Sequence, residues 1–279
     1  MIQKMLQKNY YCSSGGLPDR QMLTTCRAVF TESYMVMPAS VMTDIVTSNL
    51  PFWEKSRFWI LARPLSGFAE TFSQYIAEVE AGGGSLRPET DKEAESAIFV
   101  VDGVIDIILD GIPHALEKGG FAYIPPMADW EVKNSSGCLA RFHWIRKTYE
   151  VVEGLRTPDP IFTTDEVIVP ASMPGHGDSW LTIYFMDMAD LRHDMNIAIV
   201  TFMPGGAIPF TETHVMEHGL YVLQGKGVYR LNDEWVEVEK GDFMWLRAFC
   251  PQACYAGGPE PFRYLLYKDI NRHARLWKH

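Results

Sequence analysis

Short apolar runs separated by turn residues extend along most of this chain. From residue 27 onward the runs are rich in β-branched and aromatic residues, and Pro38, Pro51 and Pro64 interrupt the first of them. Runs of this kind, bounded by Gly, Pro, Asn and Asp, are typical of β-strands and too short for most helices. Only residues 187–194 (DMADLRHD) allow a short helical turn. The pattern therefore predicts an all-β protein.

The pattern occurs twice. Residues 95–103 (ESAIFVVDG) align with residues 217–225 (EHGLYVLQG), an offset of 122 positions (217 − 95 = 122). The same offset pairs Gly84 with Gly206, and no gap is needed between these points. Self-similarity at a fixed spacing indicates two copies of one structural unit. Closely spaced short strands joined by tight turns favour an antiparallel barrel or sandwich for each copy.

The two copies and the breaks around them divide the chain into domains. Residues 13–16 (SSGG) disrupt any pattern near the start, and residues 151–178 are rich in Pro, Gly, Asp and Thr, as a connector would be. We therefore expect a flexible N-terminal segment over residues 1–26, a first domain over 27–150, a linker over 151–180 and a second domain over 181–279.

Composition narrows the class of function. The 279 residues are 47% hydrophobic and 22% charged, as in ordinary globular proteins. The formal net charge of -10 disfavours a nucleic-acid or anionic membrane surface, so a small-molecule substrate is the better expectation. The five cysteines show no paired CxxC spacing, and no stretch has the pattern of a signal peptide or a membrane span. These features predict a cytoplasmic protein with reduced thiols.

The densest group of metal-binding side chains is Glu212, His214 and His218. In a strand, residues two apart point to the same face, so Glu212 and His214 lie together, and His218 keeps that parity. A carboxylate and two imidazoles are costly to bury unless a divalent cation binds them. The three residues therefore predict a metal site, and the alternative is a solvated polar strand edge.

Residues 214–218 also spell H-x-x-E-H, the signature of inverted zinc peptidases. That site requires a helix, which places the two histidines one turn apart. Pro209, Gly219 and the strand pattern that follows argue against a helix. Glu217 also has a counterpart, Glu95, in the first copy, so Glu217 is expected to be structural.

The glycines and polar residues of the second copy resemble the two motifs of cupins, in which barrel strands offer metal ligands to the interior. The first motif is matched by Gly206, Glu212, His214, His218 and Gly225, and the second by Gly241 and Gln252. The resemblance implies an all-β bicupin with two tandem antiparallel β-barrel domains of the double-stranded β-helix or jelly-roll type. It also implies that Glu212, His214, His218 and Gln252 bind the metal.

A longer stretch narrows the resemblance. Residues 212–243, Gln252 and residues 264–271 (YLLYKDIN) are similar to the ureidoglycine aminohydrolases, two-cupin manganese enzymes of purine (allantoin) breakdown that are also described in bacteria as glyoxylate-induced proteins. The resemblance is strongest over residues 195–272. It implies a metal-dependent hydrolase that converts (S)-ureidoglycine and water to (S)-ureidoglycolate and ammonia.

The chemistry of the site follows from its donor atoms and neighbours. Two nitrogens and two oxygens, without sulfur, favour Mn²⁺ or Fe²⁺ over structural zinc, and the resemblance implies Mn²⁺, with another divalent ion left open. Tyr264 and Lys268 are four residues apart, so a strand directs both to one side, where Tyr229 is also expected. The expected catalytic groups are Lys268, Tyr264 and Glu212. The residues expected to bind a small anionic ureido substrate are Tyr229, Tyr264 and Lys268.

The first copy lacks these ligands. The offset of 122 places Thr90, Lys92, Ser96 and Trp130 at the four ligand positions. These side chains do not form a plausible metal site, so we expect a structural first domain and one metal site per chain.

Two other functions stay open on the same ligand set. One is a different cupin enzyme, such as an iron dioxygenase or an isomerase, and the other is a non-catalytic cupin that binds a small acid. Cupin sheets commonly pair through their faces and edges, so we expect a homo-oligomer, at least a dimer, with no nucleic-acid or membrane partner.

Overall fold

The computed structural model describes residues 27–64 and 68–270. The flexible segment expected over residues 1–26 lies outside this part of the chain. Residues 187–194 form turns and no helix. Within the described residues, no helix is long and apolar enough to cross a membrane.

The described residues form 21 β-strands and three 3-10 turns. The turns are Ala39–Val41, Asp44–Val46 and Gly177–Ser179. In chain order the strands are β1 (Val29–Phe30), β2 (Tyr34–Met37), β3 (Glu54–Ala62), β4 (Ser73–Ser85), β5 (Ala94–Asp102), β6 (Val104–Leu109), β7 (Ile112–Glu117), β8 (Gly120–Ile124), β9 (Trp130–Lys133), β10 (Ala140–Thr148), β11 (Ile161–Thr164), β12 (Ala171–Ser172), β13 (Trp180–Tyr184), β14 (Met195–Phe202), β15 (Ala207–Glu212), β16 (His218–Gln224), β17 (Lys226–Leu231), β18 (Glu234–Glu239), β19 (Phe243–Leu246), β20 (Gln252–Ala256) and β21 (Phe262–Asp269). The expected all-β class is confirmed.

The strands form two antiparallel barrels. In the first, one nine-stranded sheet runs β11-β8-β5-β10-β4-β9-β6-β7, and β3 pairs with β4. In the second, an eight-stranded sheet runs β1-β2-β19-β16-β21-β14-β13-β12 and faces a four-stranded sheet, β15-β20-β17-β18. The second barrel therefore encloses its interior between two separate sheets.

Strand alternation gives each barrel two apolar faces. Along β14, Ala198 borders the interior of the second barrel, whereas Ile197 and Ile199 belong to a core shared with the first barrel. In that shared core, the ring of Phe72 stacks on the ring of Tyr267 with centroids 4.0 Å apart. Because successive strand residues point to opposite faces, one strand lines the barrel and holds the two barrels together.

Two strands do not pair as the expected domain boundaries imply. β2 lies in the segment assigned to the first domain but pairs with β19 of the second barrel, with Met35 opposite Trp245. β11 lies in the expected linker but pairs with β8 of the first barrel. Both segments cover sheet edges, which would otherwise expose unpaired backbone groups. Residues 27–150 and 151–180 are therefore not a self-contained barrel and a plain connector.

The offset of 122 holds for most of the repeat, with one local slip. Strands β6 and β7 are followed 122 residues later by β17 and β18, end to end (226 − 104 = 122). In β4, however, the register differs by one residue. Ser73 pairs with Arg146, and Asn196 pairs with Lys268. Arg146 and Lys268 are 122 residues apart, whereas Ser73 and Asn196 are 123 residues apart (196 − 73 = 123). The extra residue lies between Val79 and Gly84, so side chains before it are shifted by one position.

Candidate active site

The candidate site is a cavity of about 170 Å³ inside the second barrel. Its wall includes all four predicted metal ligands together with Tyr264 and Lys268. A larger, more open groove of about 730 Å³ lies on the first barrel around residues 82–87. Of the two, the smaller cavity is the candidate site because it brings imidazole, carboxylate, amide, phenol and amine groups together.

The four predicted ligands come from both sheets. Glu212 ends β15 and lies opposite Gln252, the first residue of β20. His218 begins β16, and His214 lies in the loop before it. The rings of His214 and His218 have centroids 4.4 Å apart, and Gln252 Nε2 lies 3.0 Å from His214 Nε2. The cavity thus brings together residues that are 40 positions apart in the sequence (252 − 212 = 40).

The donor set has the chemistry that a divalent cation requires. Within residues 27–64 and 68–270, no three His, Cys, Asp or Glu side chains are grouped closely enough to hold an ion as they stand. The Gln252 amide hydrogen-bonds His214, and its oxygen and nitrogen exchange places when the amide turns. Two imidazoles, one carboxylate and one amide oxygen lining one cavity are suitable ligands for such an ion.

Burial keeps both imidazoles in the form that binds metals. The pKa of His218 is far below its ordinary value because of burial first, then the neighbouring His214 and Lys268. Burial also lowers the pKa of His214, and Lys268 lowers it further. A neutral imidazole has a free lone pair, so both rings are ready to ligate.

The loop from His214 to His218 is not helical, which excludes the inverted peptidase geometry. Its backbone is anchored at His214, whose carbonyl accepts the Phe249 N–H at 2.8 Å. The Glu217 carboxylate accepts hydrogen bonds from the backbone N–H groups of Glu70 and Thr71, at 2.7 and 2.9 Å, and from Trp245 Nε1 at 2.6 Å. Glu217 therefore ties the loop to the first barrel, as the structural expectation requires.

Lys268 lies between the predicted metal ligand His218 and the next strand. On β21 it pairs with His218 of β16 on one side and with Asn196 of β14 on the other. Burial lowers the pKa of Lys268, and the negative charges of Glu212 and Asp269 oppose that shift. Burial raises the pKa of Glu212, and Lys268 opposes this. The two shifts bring the pKa of the amine and the pKa of the carboxyl group closer together, and a role for either group in proton transfer stays a prediction.

The two tyrosines occupy different positions. Tyr264 lines the cavity, whereas Tyr229 is fully buried and is not in the cavity wall. The Tyr229 hydroxyl donates to the Tyr264 hydroxyl at 3.0 Å. Burial raises the pKa of both phenols well above the ordinary value, so both stay protonated. Tyr229 thus supports Tyr264 from outside the cavity wall, and its predicted contact with the substrate stays a prediction.

Asn196 is a cavity residue that the sequence did not single out. It is 1% exposed and lines the same cavity wall as Lys268. The 122-residue offset matches Asn196 to Gln74, but the local slip in β4 means that Ser73 holds the equivalent register position. Asn196 could have been identified from its pairing with Lys268, because directly opposed residues of adjacent strands point to the same face of a sheet.

The first barrel has aromatic packing at the matching positions. Trp130, which matches Gln252, is buried and packs edge to face with Trp144 at a centroid distance of 6.4 Å. Ser96, which matches His218, accepts a hydrogen bond from Trp144 Nε1 at 3.1 Å. Thr90 and Lys92 are exposed on a loop. Metal binding by the second barrel alone stays a prediction that these contacts support.

Comparison with known proteins identifies the class. Residues 198–267 match the cupin domain family, and residues 66–149 match the EutQ-like cupin domain family. Together with the two antiparallel barrels and the polar cavity, these matches define a bicupin protein. The chain is 30% identical over 243 residues to an (S)-ureidoglycine aminohydrolase of Escherichia coli, covering 83% of this chain and 87% of that protein. The chain belongs to the (S)-ureidoglycine aminohydrolase family.

Two further relatives extend the similarity. An (S)-ureidoglycine aminohydrolase of Arabidopsis thaliana is 32% identical over 231 residues, covering 82% of this chain and 74% of the relative. The crystal structure of a Pseudomonas aeruginosa protein described as glyoxylate-induced is 59% identical, with a TM-score of 0.90 over 98% of this chain and all of that one. Salicylate 1,2-dioxygenase of Pseudaminobacter salicylatoxidans shares only the fold, at 14% identity and a TM-score of 0.66 over 87% of this chain and 85% of that one.

Proposed function

We propose that this chain converts (S)-ureidoglycine and water to (S)-ureidoglycolate and ammonia in purine (allantoin) breakdown. The observation that supports this most directly is the shared cavity wall of Lys268, Tyr264 and the predicted ligand set, in a chain that belongs to the aminohydrolase family. The relatives in Escherichia coli and Arabidopsis thaliana carry this activity in their names.

The proposed metal is Mn²⁺, with Fe²⁺ as the competing ion. Glu212, His214, His218 and Gln252 would hold it. A bound divalent ion supplies positive charge that attracts the substrate carboxylate and polarises the groups bound to it. With one ligand carboxylate, the site keeps net positive charge, which suits an anionic substrate.

In this proposal, side chains of the cavity wall transfer protons and orient the substrate. The reaction replaces the amine on the central carbon by a hydroxyl group, so the leaving nitrogen gains a proton and the incoming water loses one. Lys268 would give the first proton and receive the second, and the lowering of its pKa by burial supports this role. The Tyr264 hydroxyl, which accepts a hydrogen bond from Tyr229, would orient the substrate, and Glu212 in the same cavity wall would help to fix the face that water attacks.

The test pairs metal analysis of purified protein with an ammonia assay on freshly generated ureidoglycine. The substrate loses ammonia readily without an enzyme, so the product's configuration is the sharper measurement. We expect about one divalent ion per chain and a product of S configuration. Ammonia release at the uncatalysed rate with a racemic product would contradict the proposal, and oxygen uptake on another substrate would favour a dioxygenase.

The oligomeric state and the cellular location of the protein stay predictions. One is assembly into at least a dimer, which size-exclusion chromatography with light scattering measures. The other is a cytoplasmic location, which fractionation of cells measures. Neither changes the chemistry proposed for the cavity.

A further inference from the structure

Asn196 carries a buried hydrogen-bonding group that the proposed mechanism does not use. Its side-chain oxygen and nitrogen are both buried, and neither has a hydrogen-bond partner in the described part of the chain. Burying an amide is unfavourable unless a new hydrogen-bond partner replaces the water that it loses, and no protein group does so here. An amide in a cavity wall that no protein group pairs is available to a ligand that enters the cavity.

The position of Asn196 places it in the reaction cavity. Asn196, Lys268 and His218 lie opposite one another on the adjacent strands β14, β21 and β16. Directly opposed residues of an antiparallel pair have Cβ atoms about 5 Å apart. All three line the cavity. A ligand held between the predicted metal and Lys268 is thus within reach of the Asn196 amide.

The chemistry of the amide limits what it recognises. A side-chain amide presents one acceptor and one donor group side by side. A carboxylate offers acceptors only and an ammonium group donors only, so either leaves half of Asn196 unpaired. A ureido group offers a carbonyl oxygen beside an N–H, which satisfies both halves. We propose that Asn196 is a specificity residue whose Oδ1 accepts from the terminal NH₂ of the substrate's ureido group while Nδ2 donates to its carbonyl oxygen.

This assignment rests on the proposed function, because the ureido group that Asn196 would bind is part of the proposed substrate. It is tested by binding alone, with protein loaded with Mn²⁺ and isothermal titration calorimetry. The two probes are N-carbamoylglycine and N-acetylglycine, which differ only by NH₂ in place of CH₃. We expect the unmodified protein to bind N-carbamoylglycine about 10-fold more tightly, as one buried hydrogen bond predicts. In Asn196→Leu the two dissociation constants become equal.

A second variant separates recognition from damage to the fold. Asn196→Asp has nearly the same shape and keeps an acceptor, so it retains a preference for N-carbamoylglycine while both ligands bind more weakly because a negative charge is added. Circular dichroism and metal content verify folding of each variant. A wild-type ratio retained in Asn196→Leu overturns the assignment, as does unmodified protein that does not distinguish the probes. Discrimination without ammonia release from ureidoglycine overturns the proposed function and leaves the role of Asn196 standing.

Discussion

The two barrels share their strand plan but differ in what fills the interior. In the first, Trp130 and Trp144 occupy the space together with Tyr75, whose ring lies 5.3 Å from Trp144. In the second, the matching positions hold Gln252, Leu266 and Ala198, and a cavity of about 170 Å³ is lined by them. Because the backbone pattern is common to both, the cavity arises from smaller and more polar side chains at a few positions.

One buried glutamate occurs at the same position in both barrels and has a structural role in each. Glu95 and Glu217 occupy matching positions, and both are buried. Glu95 accepts a hydrogen bond from the Tyr123 hydroxyl at 2.7 Å, while Glu217 holds the loop contacts to the first barrel. Residues that recur in both copies support the shared framework, whereas residues that differ between them indicate where the chemistry lies.

The largest expected effect comes from giving the second barrel the first barrel's residue. His218→Ser introduces the side chain found at Ser96 and removes one of two imidazoles, so the metal content should fall from about one per chain to near zero. Ammonia release should fall to the uncatalysed rate. Elemental analysis and the ammonia assay measure both. Ser96→Ala is the matched control and should keep its metal; full metal content in His218→Ser would refute the ligand assignment.

The next largest effect concerns two basic side chains at matching positions, Arg146 of β10 and Lys268 of β21. Lys268→Met removes a proton carrier, and loss of general acid-base catalysis lowers kcat by about 10²- to 10⁴-fold. Arg146, at the matching position of the first barrel, is paired with Glu89 instead. Arg146→Met should therefore leave kcat within about twofold. Steady-state kinetics at matched metal content gives kcat for both variants. Equal losses of kcat in Lys268→Met and Arg146→Met would contradict a special role for Lys268.

A stability measurement compares the two interiors directly. Trp130→Ala opens a large hole in a packed aromatic core and should lower the free energy of unfolding by about 3–5 kcal/mol. Gln252→Ala, measured without metal, should cost about 1 kcal/mol, since the side chain already borders a cavity. Urea denaturation of both variants gives the two values. Similar losses would mean that the second interior is packed as tightly as the first.

The smallest effect tests the interface between the barrels. His143 of β10 is fully buried against the ring of Tyr221, with centroids 4.2 Å apart, and burial lowers its pKa to about 3. The unfolded chain binds this proton near pH 6.5 and the folded protein does not, so stability falls as pH falls below 6.5. The contribution is about 1.4 kcal/mol per pH unit.

The variant His143→Gln should remove this part of the acid sensitivity. Urea unfolding between pH 7 and pH 5 gives the slope for each protein, and the difference between slopes isolates His143 from other buried groups such as Asp269. An unchanged slope in His143→Gln would mean that the buried imidazole does not titrate as described.

Much of the fold and most of the site follow from sequence pattern. The repeat offset located strands β6 and β7 with their counterparts, and the spacing of Glu212, His214 and His218 predicted side chains that do share one cavity wall. These features are local, because strand parity and turn residues determine them within a few positions.

Three features did not follow because they depend on distant contacts. The pairing of β2 with β19 is set by which edge of the second sheet needs covering, and no periodicity within Tyr34–Met37 specifies a partner. Asn196 was hidden by a one-residue slip in β4, which turns its aligned partner Gln74 to the opposite face. Tyr229 is fully buried outside the cavity wall, and its hydroxyl hydrogen-bonds to Tyr264, which does line the cavity.

The position of β2 also bears on how the protein is made. A ribosome releases the amino end first, so Tyr34–Met37 emerges long before β19, the strand beside which it finally lies. The second barrel can complete its sheet only by recovering a segment synthesised ahead of the entire first barrel. A fragment starting at residue 181 would consequently lack the strand that covers β19, and separate expression of the second barrel should give aggregated chain unless residues 29–37 are supplied with it.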